Sequence, residues 1–198
     1  MMRSVALTGV LLLLLGACGP KGFIKGKYDE DVRSDNLLDD NWSESDMQKV
    51  VEKLVNKMLQ SRHIKNAKRP PIVMVTRLQN KTSEHIDTQS IMDMVRVELT
   101  NQGGVEFVDK AAREDVAEEY EYQNSGMVSK ETAKGAGGQI GADFIINGRL
   151  DSITKTINNE KTVYYKVTLN MTNLKTNIIA WTGHEELRKL FKKRRMGL

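Results

Sequence analysis

Residues 70–109 read PPIVMVTRLQNKTSEHIDTQSIMDMVRVELTNQGGVEFVD, and their order decides the fold class. Two prolines lead into Ile72-Val73-Met74-Val75, an apolar, mostly β-branched run. It predicts a short strand from Ile72 to Leu78, buried on both faces and so central in its sheet. The polar residues Gln79 to His85 read as a loop. Asp87 can cap a helix in which Ile91, Val95 and Leu99, with Met94 beside them, recur at helical spacing. Gly103-Gly104 stop that helix, and Val105 to Val108 make a second short strand. Strand, loop, amphipathic helix and strand form an α/β unit.

Upstream, a first helix is expected from Trp42. Ser43 can cap it, Asp46 stands at N3, and Trp42 and Met47 occupy the positions of a hydrophobic staple. Met47, Val50, Val51, Leu54, Val55, Met58 and Leu59 form one apolar stripe that should lie on the sheet. Arg62 to Arg69 is a basic connector.

Downstream, Lys110 to Asn124 reads as a polar helix with Val116, Ala117 and Tyr120 facing inward. A further short helix is expected from Ser129 to about Ile140, weakened by Gly135, Gly137 and Gly138 at about 1 kcal/mol each relative to alanine. The cluster is not a dinucleotide fingerprint, because Ile140 stands where the third glycine belongs and no P-loop lysine follows.

The last third alternates. Phe144, Ile146, Gly148 and Leu150 share one face, opposite Asn147, Arg149 and Asp151. Val163, Tyr165, Val167, Leu169 and Met171 alternate with polar residues, the pattern of a half-buried strand. Asn158-Asn159 and Asn173 to Asn177 are turn signals, and Ile178 to Glu186 returns through Trp181. The expected fold is α/β: a mixed sheet of about five strands, a β-α-β unit followed by an antiparallel meander, flanked by about four helices.

The 198 residues suffice for one such domain. A formal charge of +4 is too small to imply nucleic acid. The single cysteine allows no internal disulfide. It follows Arg3 and an apolar run, Val5 to Leu15, too short to span a bilayer as an ordinary helix. Residues 1–17 read as a secretory signal, and Leu15-Gly16-Ala17-Cys18 resembles a bacterial lipobox. That resemblance implies cleavage before Cys18 and its lipidation, by several acyl chains since one binds marginally. The alternative is a plain signal with an incidental cysteine. By resemblance to enterobacterial lipoproteins, Gly19 in place of aspartate implies sorting to the outer membrane. Residues 18–41 then form an acidic tether, extended and solvated. Residues 42–187 form the domain. Residues 188–198 form a basic tail, either solvated or apposed to an anionic membrane or acidic partner through Leu190 and Phe191.

No catalytic constellation is legible. His63, His85 and His184 fall in separate elements, and His184-Glu185-Glu186 is not a metal-binding H-E-x-x-H. No nucleophile elbow is present. No metal, cofactor or nucleic acid is expected, and the default is a binding module.

Three segments carry a family resemblance: Trp42-Ser43-Glu44-Ser45-Asp46, the loop Asn80-Lys81-Thr82-Ser83-Glu84-His85-Ile86-Asp87, and Gly141-Ala142-Asp143-Phe144-Ile145-Ile146-Asn147-Gly148. Together with Ile179-Ala180-Trp181 they resemble the LpoB-type lipoproteins. The stretch is more distantly similar to the N-terminal domain of TolB and to CsgG-type secretion lipoproteins. The resemblance implies a TolB N-terminal-domain-like fold and a monomer at the periplasmic face of the outer membrane. It also implies binding to the periplasmic docking domain of a class A penicillin-binding protein, whose peptidoglycan synthesis is activated. The matching motifs read as structural, so no partner-contacting residue is carried over. Enterobacterial members have a long proline-rich tether, whereas residues 19–41 here span at most about 80 Å. The other reading is a structural subunit of an envelope or secretion assembly.

Overall fold

The computed structural model describes residues 39–193. Helix α1 runs Glu44–Leu59. The Ser43 side chain accepts from the Asp46 amide, and the Asp46 carboxylate accepts from the Ser43 amide, a complete capping box. Trp42 therefore stands just outside the helix, and it and Met47 both pack against the core. The expected stripe is inward: Val50, Val51, Leu54, Val55 and Met58 are buried. The connector holds a short helix, α2 (Arg62–Lys65), with Ile64 buried. Strand β1 is Ile72–Lys81, followed by helix α3 (Thr88–Gln102), which buries Ile91, Met92, Val95 and Leu99. Asp87 caps α3 by accepting from the amides of Gln89 and Ser90.

Strand β2 (Glu106–Phe107), helix α4 (Arg113–Tyr122) and strands β3 (Phe144–Ile157), β4 (Glu160–Asn173) and β5 (Ile179–Lys192) complete the fold. The sheet order is β2-β1-β3-β4-β5. β1 is parallel to both neighbours, and β3, β4 and β5 form an antiparallel meander. α1 packs on α3 and β5, and α3 packs on β1. The core lies between these helices and the face of the sheet that carries Val73, Leu78, Ile146, Leu150 and the buried alternate residues Val163 to Met171 of β4. Among the described residues, the buried apolar core falls between Val50 and Met171.

A bulge at Thr76-Arg77 keeps β1 in this arrangement. Val75 pairs with Ile146, yet Leu78 pairs with Gly148, so one extra residue sits on β1. Side chains alternate across a strand, so without that residue Leu78 would face away from the core. Gly148 tolerates the close approach of β4. A Cβ there would lie 2.2 Å from the Thr168 carbonyl oxygen and 2.9 Å from Leu78 Cδ1.

Several expectations need correction. β1 extends three residues beyond Leu78, into the segment read as loop, because β3 runs beside it as far as Asp151. The polar helix is shorter than expected. It buries none of its residues and ends in a π-helical turn, Gln123–Met127, in which Gly126 has φ of 92°. The helix from Ser129 to Ile140 is absent. One turn, with the Ala133 amide on the Ser129 carbonyl, is all that forms before Gly135, and Gly137 has φ of 91°. Glycine's backbone entropy cost outweighs what so polar a segment recovers by packing. The fourth helix is instead α2. At the other end, residues 188–192 are not a tail but the last third of β5, paired with Glu160–Tyr164 of β4. The acidic tether is not wholly solvated either, because Asp40 and Asn41 bond to the domain. Cys18 and the signal segment lie outside the described residues.

Candidate docking surfaces

The loop after β1 is built by its own side chains. The Asn80 Oδ1 accepts from the Thr82 amide and hydroxyl at 2.9 and 2.8 Å, and the Asn80 amide group donates to the Glu84 carbonyl at 2.8 Å. Thr82 Oγ1 accepts from the Glu84 amide at 3.1 Å. These short bonds hold the Glu84 carboxylate against Tyr165 and the Trp42 amide, which donates to Glu84 Oε2 at 2.9 Å. Burial, and then the neighbouring Glu84 carboxylate, push the Tyr165 hydroxyl far above the usual phenol range, so it stays a donor.

Tyr165 is the centre of a clamp on the start of the domain. Its hydroxyl also lies 3.2 Å from the Asp40 carbonyl, and its ring meets Trp42 edge-on at 5.3 Å. Lys161 pairs with the Asp40 carboxylate and holds its pKa below the usual range. Lys189, in β5, is buried. It donates to the Asn41 carbonyl at 2.6 Å and pairs with Asp46 of the capping box at 2.5 Å. Three segments distant in sequence are thereby joined where the tether meets the fold. Sequence reading missed Lys189 because a lysine among the inward positions Leu187, Lys189 and Phe191 breaks the apolar alternation that signals a strand.

The second feature is a cleft of about 1190 Å³ along the free edge of β1. β2 pairs only with Ile72 and Val73, and the Val108 amide adds a bond to the Val73 carbonyl. Beyond that point the β2 side of β1 has no strand partner among the described residues. The cleft is walled by Gln89, Asp93 and Arg96 of α3 and by Val108 to Ala111. Its other lining residues come from β1 itself and from the helix-free side of β3 and β4. Arg96 pairs with Asp93 at 3.1 Å and Arg149 with Asp151 at 2.8 Å. Arg77 and Lys110 are exposed and have no ion-pair partner among the described residues. The cleft is wide, polar and open, a shape suited to a protein segment rather than to a small molecule enclosed by apolar walls.

The histidines do not converge: His63 is in α2, His85 in the loop after β1 and His184 in β5, 3.6 Å from Glu186. Among the described residues no group of three His, Cys, Asp or Glu side chains is placed to hold a metal ion. Asp143 of the Gly-Ala-Asp segment acts structurally: its carboxylate accepts from the Ile72 amide at 3.0 Å and fixes the start of β1.

The fold is a small α/β domain with a side-chain clamp at its start and an open polar cleft along β1. The sequence matches the family model for the peptidoglycan-synthase activator LpoB over residues 46–187, most of the chain, and the protein belongs to that family. Among solved structures, the LpoB C-terminal domain from Salmonella enterica is similar at 16% identity and a TM-score of 0.47, covering 73% of this chain and 99% of that one. The corresponding Escherichia coli domain is similar at 15% identity and a TM-score of 0.47, covering 72% and 98%. The lipoprotein GNA1162 from Neisseria meningitidis is similar at 12% identity and a TM-score of 0.42, covering 64% and 88%. No curated protein matches the sequence.

Proposed function

We propose that this protein is a lipid-anchored periplasmic lipoprotein of the Gram-negative outer membrane. It binds the docking domain of a class A penicillin-binding protein and raises its peptidoglycan synthesis, acting as a monomer and catalysing no reaction itself. The family match over residues 46–187 carries this reading. The cleft beside β1 is the surface assigned to the synthase, with Arg77 and Lys110 as the free cations that steer an acidic partner. Cys18 supplies the anchor, and the short tether confines the domain to a thin layer at its membrane, which raises its effective concentration for partners there.

The test is a solution assay. A fragment of residues 39–198 should bind a purified class A synthase ectodomain from the same organism and speed its glycan polymerisation. Arg77→Glu with Lys110→Glu should weaken both. A fragment that neither binds nor accelerates any class A synthase of that organism refutes the activator reading. Retained activity in the double variant refutes the cleft. The anchor is tested separately: Cys18→Ala should abolish acyl labelling, and a variant that stays on membranes with unchanged mass refutes lipidation.

A further inference from the structure

We propose that the outer end of the β3–β4–β5 meander docks on an anionic lipid surface, so that the domain rests on the membrane to which its own tether leads. The inference takes the Cys18 anchor from the reading above and adds an orientation and a ligand.

On the helix-free face, register places Ile153, Tyr164 and Arg188 in one row, Lys155, Thr162 and Leu190 in the next, and Ile157, Glu160 and Lys192 in the last. Three aliphatic side chains here are largely in water: Ile153 is 57% exposed, Ile157 68% and Leu190 72%. Cations are interleaved with them. Lys155 and Arg188 have no ion-pair partner among the described residues, and Lys192 meets Glu160 at 2.9 Å with both side chains exposed. Glu186 lies one row inward and Lys193 follows the strand, with Arg194 and Arg195 next in sequence. Aliphatic side chains among exposed cations are the pattern of an interfacial surface: the apolar groups enter the headgroup boundary and the cations meet lipid phosphates.

The tether supplies the independent observation. It meets the domain at this same end, where Lys161 holds Asp40 and Lys189 holds the Asn41 carbonyl. Lys161 pairs in register with Thr156 and Phe191, the row between those of Leu190 and Ile157. From Cys18 to Asp39 the chain can extend at most about 75 Å; its contacts at Asp40 and Asn41 lie on the helix-packed face of the same end of the sheet, one sheet thickness from the patch. A second copy is a poor occupant, since a symmetric contact would bring like charges together.

The experiment is sedimentation of the 39–198 fragment, which contains the core found among the described residues, with vesicles of phosphatidylcholine alone or mixed with phosphatidylglycerol. Binding should require phosphatidylglycerol and weaken as salt is raised. Lys155→Glu with Arg188→Glu should lower the partition coefficient at least about 25-fold, from about fivefold per charge lost. Leu190→Asp should lower it about tenfold. All three positions are exposed, and thermal unfolding of each variant verifies the fold. Four results overturn the proposal. The first is no binding to anionic vesicles at low salt, and the second is binding unchanged by the substitutions. The third is self-association through this face that Leu190→Asp abolishes. The fourth is binding by residues 39–198 but not 19–198, which would make the acidic tether the occupant. No synthase is present in the assay, so its failure leaves the activator reading untouched.

Discussion

Lys189 Nζ lies 2.5 Å from Asp46 Oδ2, with the two side chains 4% and 8% exposed. The pair joins the last strand to the first turn of α1, and the same ammonium holds the Asn41 carbonyl at 2.6 Å. A buried pair gains little over apolar residues of similar size, but losing one member strands the other charge.

Lys189→Met should therefore destabilise the fold by about 3–5 kcal/mol. In the Lys189→Met background, further change of Asp46 to Asn should cost much less than the same change in the wild type. Urea unfolding midpoints for the four proteins of this cycle measure the coupling. Additive effects would mean that the two charges do not depend on each other.

Truncation should expose the same dependence. A fragment of residues 42–187 carries the core residues found among the described residues but lacks Lys189, Phe191 and the Asp40 contact. That fragment should unfold broadly or aggregate, whereas residues 39–193 should give one cooperative thermal transition. Equal cooperativity in both would show that the end of β5 is dispensable.

Gly148→Ala should destabilise by about 1–3 kcal/mol, the usual range for overpacking. The added methyl would meet the Thr168 carbonyl at 2.2 Å, and a paired strand backbone cannot give way as a flexible side chain can. Calorimetry of the variant would show a lowered melting temperature. An unchanged one would mean that the β3–β4 pairing shifts to admit the methyl.

Asp87 predicts an acid dependence. The Ser90 hydroxyl, then the Ser90 and Gln89 amides, hold its carboxyl below the usual range. A lowered native pKa gives stability that is present above the unfolded value, near 4, and is lost as pH falls through the native one. Wild type should lose stability below about pH 4 more steeply than Asp87→Asn. Melting temperatures between neutral and acid pH would compare the two slopes, and parallel curves would remove Asp87 from the acid response.

Some of this fold was legible locally. α1 and α3 follow from apolar spacing and from caps, Ser43 with Asp46 and Asp87 with Ser90, that act within three residues. β4 follows from strict alternation between Val163 and Met171. Its flanking turns follow from asparagines, of which Asn158 and Asn177 adopt φ of 53° and 56°. The cleft and the clamp were not legible. Glu84 meets Tyr165 across 81 residues and Lys189 meets the Asn41 carbonyl across 148. Nothing in a local window distinguishes the buried Lys189 from Lys192, which is exposed beside Glu160. Sequence periodicity determined which faces are apolar. Only the tertiary structure decided which charges those faces enclose, because the compensation for a buried charge comes from whatever segment the chain brings against it.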